Sequence, residues 1–540
     1  MERRDPRRPR RPPRAPPPPR RAQGHRRPRH PPSPRPEDDA LDPAERRAAI
    51  SEARAALAAL APDDPARAAH HRRIGDLEWA AANADYRAEL ARHATESEAY
   101  LAGRRDTAPA PPVPGYGGAV IAYEQLLEAD PDAADRDRLT LYLAHGLLAV
   151  GRAADGLDHH RALLDRHPDA PHADRARLAL ADDAFTRGDT PTALAHYQAL
   201  ADRAEDPRLR RYARYQLGHA HLALGDADAA VDDFHALLDG LRDDPEAAAH
   251  YRRDAIDALT LAYTALPGGR RQAQSYFRGL GGEALERRQS RLLALGYTAR
   301  GDAAEAAAAW RRALDDTTAP VTGPGDRAEI LILLAEQEAA ASATDAARAL
   351  IDGPLADCNP LGDTPTGLHC QVTRGNVLRA AGDPTADAAF ARIADRDVPT
   401  GAPEAPAIAE ARFRRVEPAL HALVTADRPD DAALEALDAA YRRVEALAVP
   451  RWSVAALYRR GQAHAAHAAH LARRPADADR AAAHQTQAAA HYRAAVALAH
   501  KHRIETRWAQ SAAEKLAELD PPPAPPSSAH PDARTLTPEP

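Results

Sequence analysis

An all-α chain of stacked helix pairs, with a helical block near its C-terminal end and disordered termini, is the fold class the sequence predicts. Three observations carry it. Between Tyr116 and Leu241 the same residue types return every 37 positions. Ala119, Gly156, Ala193 and Ala230 form one column. Tyr123, His160, Tyr197 and Phe234 follow four residues later, and Leu126, Leu163, Leu200 and Leu237 three further on. The composition agrees: hydrophobic residues make up 44% but aromatics only 4%, with alanine the commonest residue. An Ala/Leu core suits closely packed helices better than sheets, which draw on β-branched and aromatic side chains. Punctuation is the third observation. Gly151, Gly188 and Gly225 mark the middle of the last three units, and Pro131, Pro168, Pro207 and Pro245 close the four. Such helix–turn–helix modules cannot bury an apolar face alone and must stack.

The elements follow in order. Residues 1–40 form an Arg/Pro-rich arm; its first 36 residues hold 13 arginines and two acids, Glu2 and Asp5, for a charge of +11. Proline at that density forbids helix and the charge resists collapse, so the arm is expected to be disordered with polyproline character. Residues 41–103 are N-terminal helices: Pro43 sits in the first turn of one, and Pro65 opens a second that runs to about Leu101. Residues 104–117 are a Pro/Gly linker. The repeat array occupies 118–400. In its best unit Arg208–Leu224 is one helix, Gly225-Asp226 the turn and Ala227–Leu241 the second helix. Gly269, Ala273, Phe277 and Leu280 give a later unit, and Leu295-Gly296, Gly301, Ala306 and Trp310 another; Gly382, Ala386 and Phe390 mark a weaker one. Residues 401–519 hold five longer helices broken at Pro429, Pro450 and Pro475, and 520–540 are a proline-rich disordered tail.

Leu217-Gly218, Gly225, Ala230, Phe234, Leu237 and the closing proline resemble the tetratricopeptide repeat. Longer turns between units account for a period above the usual ~34. Glycine replaces alanine at Gly156, and Arg177 and Arg214 stand where the first helix of that family carries an aromatic residue. The resemblance implies a right-handed α-solenoid, a non-enzymatic scaffold or adaptor, and a protein or peptide partner held on a concave face lined by the first helices. Carried over by register, the lining is Arg138, Leu141, His145 and Leu148, then Arg175, Leu178, Asp182 and Phe185, then Tyr212, Tyr215, His219 and Leu222. A register off by one places several of these in the core instead. The Lys/Asn clamp that grips C-terminal carboxylates in chaperone-binding members is not matched; Leu141, Leu178 and Tyr215 hold one of its positions. A second resemblance rests on Tyr441–Val444, Ala455–Gln462, Tyr492–Val496 and Trp508. These look like the C-terminal region of tetratricopeptide proteins of myxobacterial adventurous gliding motility, which implies an envelope-associated scaffold.

Charge and motifs exclude other classes. The formal net charge is −7, which leaves −18 outside the basic arm and argues against nucleic-acid binding by the folded part. A nucleic-acid role through residues 1–36 is one alternative. Only Lys501 and Lys515 among the 72 basic residues are lysines, a genomic bias that weakens arginine as evidence for a site. No apolar run approaches the ~18 residues that span a bilayer. Positive charge at the N-terminus is followed by no apolar stretch, so the chain as written reads as cytoplasmic, and as periplasmic or envelope-associated if translation starts further upstream. Cys358 and Cys370 are either one disulfide or two unrelated thiols. His464, His467 and His470 recur every third residue, with His484, His491, His500 and His502 nearby. Neighbours at i and i+3 could share a Zn²⁺ or Cu²⁺, yet His464 and His470 diverge by about 120° around a helix. No metal and no cofactor are therefore expected, and a metal-binding protein is the second alternative. There is no Gly-Lys phosphate loop, no His-Glu-x-x-His and no Gly-x-Ser-x-Gly, so no enzyme is expected.

Overall fold

The computed structural model describes residues 33–102, 104–170, 172–314, 325–426 and 430–519. Every regular element among them is a helix. The expected tail at 520–540 and residues 1–32 of the expected arm lie outside the described residues. The end of that arm is held in place: Ser33 and Asp38 are buried, Arg73 grips both Asp38 oxygens at 2.7 Å, and Arg35 Nε lies 3.2 Å from Asp76.

The chain divides between Ala273 and Gln274 into two compact units. In the first, helices Pro43–Ala58 and Ala66–Leu101 precede Gly117–Ala129, and three pairs follow: Arg136–Ala149 with Ala153–Arg166, Ala173–Thr186 with Thr190–Arg203, and Pro207–Leu224 with Ala227–Gly240. Each helix touches the next in sequence, and Pro207–Leu224 also touches Ala173–Thr186 and Pro245–Tyr263, the first helices on either side.

The three sequence columns are the seam of this stack. Apart from Gly156, which is also buried, no member of them is more than 1% exposed. Small residues occupy the column where two helices cross closely; a Cβ on Gly156 would stand 2.8 Å from the Ala144 carbonyl oxygen. The turn explains the Gly-Asp pair. Gly225 adopts φ 81°, a left-handed conformation that glycine takes without strain. Asp226 then starts the next helix by accepting a hydrogen bond from the Ala229 N–H at 3.1 Å.

The helix that opens at Gly269, just before the division, is broken at Gly281 and Gly282, and in the second unit Ala303–Ala313, Asp326–Ala340, Thr344–Asp352, Pro365–Ala380 and Ala386–Ala394 follow. Cys358 and Cys370 are disulfide-bonded with Cα atoms 6.0 Å apart, closing the irregular stretch before Pro365–Ala380. The last five helices are Ala405–Thr425, Asp431–Glu445, Pro450–Leu471, Ala478–His502 and Arg507–Leu519. Ala405–Thr425, Pro450–Leu471 and Ala478–His502 are long, at 21, 22 and 25 residues, and the stacking rule is kept: Asp326–Ala340, Pro365–Ala380, Ala405–Thr425 and Pro450–Leu471 touch one another in succession. Phe413, Trp452 and Trp508 anchor this core, with ring centroids 5.2 to 5.8 Å apart. No helix of the described residues is long and apolar enough to cross a membrane.

Candidate functional site

Two places concentrate chemistry, one in each unit. The first is the face of the first helices. Leu141, Leu178, Tyr212 and Tyr215 are buried, while Arg138, His145, Leu148, Arg175, Asp182, Phe185, His219 and Leu222 are half-buried. The buried four are explained by the stacking. Helix Pro207–Leu224 is packed by the helices on both sides in sequence and by the first helices of both neighbouring pairs, so only a narrow strip is left to solvent. Leu178 and Tyr212 belong to one hydrophobic cluster with Tyr197 and Leu217, and the Tyr215 ring lies 5.7 Å from that of Tyr251. Asp182 links two pairs, accepting from the Tyr197 hydroxyl at 2.7 Å and the Tyr212 hydroxyl at 3.1 Å. Gln216 donates in turn to the Tyr212 oxygen at 2.8 Å. Arg138 donates to Asp135 at 2.6 Å. The strip that remains repeats with the 37-residue register: Arg138 and Arg175; His145, Asp182 and His219; Leu148, Phe185 and Leu222.

The second place is a cleft of about 750 Å³ among helices Asp431–Glu445, Pro450–Leu471 and Ala478–His502, lined by Asp431, Asp438, Arg460, His464, His484 and His491 among others. His467 lies against it, its ring 4.7 Å from that of His484. Arg460 donates to Asp438 through both Nε at 2.6 Å and Nη2 at 3.1 Å, and to Glu445 at 3.0 Å. Arg442 pairs with Asp438 as well. Burial opposes ionisation of Asp438, but these guanidinium groups, Arg460 foremost, overcome it and hold the carboxyl low. Burial pushes the imidazoles of His464 and His484 down. It takes His491 to about 4, helped by the charge of Arg460. These three rings are therefore neutral at physiological pH and carry a lone pair each.

Residues 121–275 match the family model of the tetratricopeptide repeat-like domain. The match takes in every member of the three columns described above except Ala119. Among solved structures, the chain is similar to a tetratricopeptide repeat protein from Parabacteroides merdae, at 15% identity over 52% of this chain and 99% of that one, with a TM-score of 0.27. It is also similar to the APC/C hetero-tetramer Cut9–Hcn1, at 14% identity over 78% of this chain and 85% of that one, with a TM-score of 0.21. No curated protein matches the chain.

The tetratricopeptide-like pattern leads to the first place and is silent on the second. Sequence reasoning singled out the histidines but missed Asp431, Asp438 and Arg460, and it paired the histidines along one helix instead of across two. A signal was present. In an antiparallel hairpin, residues equally far from the turn face each other, and His467 and His484 lie about equally far from Pro475. His470, His500 and His502 do not line the cleft.

Proposed function

We propose that the chain is a non-enzymatic scaffold that binds an extended or helical peptide of a protein partner along the half-buried strip of its first helices. The observation that carries this is the repetition of one chemistry at the same register positions: cation, ionisable, apolar in two consecutive pairs, and ionisable then apolar again in the third. A ladder of equivalent positions suits a ligand that is itself extended or helical, and Arg and aromatic anchors are common hot spots. A photo-crosslinking residue at Leu148 or Leu222 is expected to capture a partner, while the same residue at exposed Ile121, on a second helix, is not. Capture from Ile121 alone would overturn the assignment of the face.

An envelope or motility assembly is the narrower form of the proposal. The resemblance to gliding-motility proteins supports it, as does the Cys358–Cys370 disulfide, since such bonds persist in oxidising compartments. Alkylation of the protein in intact producing cells is expected to find both thiols blocked, and recovery of free thiols in the cytosolic fraction would sink this part.

A further inference from the structure

The cleft in the second unit is more than a polar gap. Two groups each bring one carboxylate and two imidazoles together, with one ligand atom from every residue within 4.8 Å of the others: Asp431, His467 and His484, and Asp438, His464 and His491. They adjoin, because His464 Nδ1 and His484 Nδ1 are 3.1 Å apart.

An independent observation comes from His467. It is 1% exposed, its Nε2 meets an Asp431 oxygen at 2.8 Å, and its Nδ1 has no hydrogen-bond partner. A buried polar group without a partner is costly and calls for an explanation. Burial alone is not a site: His160 is as deeply buried and has no hydrogen-bond partner at either nitrogen, but it stands in an apolar column with no carboxylate against it. His467 has a carboxylate at one nitrogen and His484 beside it.

Imidazole nitrogen with carboxylate oxygen is the donor set of zinc and its neighbours. Calcium and magnesium take oxygen ligands. Two ligands each about 2.0–2.2 Å from one zinc ion lie roughly 3.3 Å apart at the tetrahedral angle. The separations here, 3.1 Å between the two Nδ1 atoms and up to 4.8 Å within a group, bracket that value. Small side-chain rotations close the difference. The two groups are unequal. Asp438 is clamped by Arg460, only 10% exposed, whereas the competitor at Asp431 is Arg480, 51% exposed and 2.7 Å away. Arg480 can swing into solvent when a cation arrives.

We propose that Asp431, His467 and His484 bind a zinc-class divalent cation, with His464 beside them as the next ligand. The bound ion staples helix Pro450–Leu471 to helix Ala478–His502 and stabilises the second unit by mass action. This site lies in a different unit from the peptide-binding strip, so neither proposal depends on the other.

The test uses the full chain without an affinity tag, stripped with chelator and titrated with Zn²⁺ by calorimetry and by thermal melting. One equivalent is expected to bind and raise the melting temperature. Asp431→Asn and His484→Ala, both at partly accessible positions, are expected to weaken binding at least tenfold with unchanged helicity in the absence of metal. His500→Ala combined with His502→Ala is expected to leave binding unchanged. Absence of stoichiometric binding would overturn the proposal. So would binding that survives His484→Ala and Asp431→Asn, or that disappears with His500 and His502, since each marks adventitious surface histidines.

Discussion

Two helix pairs in this chain cross in the same way and end in different surroundings. In the pair Pro207–Leu224 and Ala227–Gly240, Gly218 lies under Phe234, and a Cβ there would stand 2.6 Å from the ring. In the pair Pro450–Leu471 and Ala478–His502, Gly461 lies under Tyr492 at 2.5 Å. Three residues beyond each glycine is a histidine, and one residue before each aromatic is its facing group. In the first pair these are His221 and Asp233, bonded at 2.8 Å, and Gly225 ends the helix soon afterwards. In the second pair they are His464 and His491, and the helices run on to His467 and His484 before the connection at Ala472–Asp477. The difference teaches that the crossing is a constant of the fold, while the length beyond it is free. A short pair closes on one satisfied contact. A long pair opens a lined cleft.

The largest expected effect tests the constancy of the crossing. Phe234→Ala and Tyr492→Ala each remove a fully buried ring and leave a cavity, for a loss of about 3–5 kcal/mol. Denaturant unfolding followed by tryptophan fluorescence reads both. Trp79 reports on the first unit, and Trp310, Trp452 and Trp508 on the second. Each variant is expected to shift the transition of its own unit. A Tyr492→Ala loss well under half of the Phe234→Ala loss would mean that the two crossings are not equivalent.

Buried histidines give the next comparison. His160 fills the aromatic column with an imidazole that burial pushes down to about 4. Its folded value lies below its unfolded one, so its contribution is complete above pH 6.5 and falls away as the pH drops towards 4. At pH 5 the loss is about 2 kcal/mol. His160→Phe, which places the Phe234 residue type in the same column, is expected to abolish that part of the acid sensitivity. Chemical denaturation at pH 7 and pH 5 measures it. Equal pH dependence in both proteins would show that His160 is not the titrating group.

Much of the first unit was legible in the sequence because its seam is periodic. Ala230, Phe234 and Leu237 share a face by helical spacing alone, and the 37-residue register repeats that face. The exposure of the first helices was less legible. Tyr212 and Tyr215 resemble binding residues in sequence, but the neighbouring first helices cover them, and that coverage depends on how closely successive pairs approach. The histidine cleft was least legible. His464 and His484 are 20 residues apart, and their meeting depends on the register of a long hairpin. Spacing along one helix pointed to His470, which the cleft leaves out.

The smallest expected effect concerns how a pair begins. Asp226 and Arg152 occupy the same place, two repeat periods apart. Asp226 caps its helix through the Ala229 N–H, whereas Arg152 makes no side-chain cap for Ala153–Arg166. Removing an aspartate cap costs about 1 kcal/mol, so Asp226→Ala is expected to lower stability by that amount. Arg152 instead pairs with Glu124 and Asp155, each at 2.7 Å and well exposed, and such surface pairs contribute little. Arg152→Ala is therefore expected to leave the unfolding transition where it is. Equal losses from the two substitutions would mean that exposed ion pairs do the work of a cap at the uncapped turn. A loss from Asp226→Ala alone would identify the Gly-Asp dipeptide as the feature that starts the second helix, and would make Arg152 a weak start in the array.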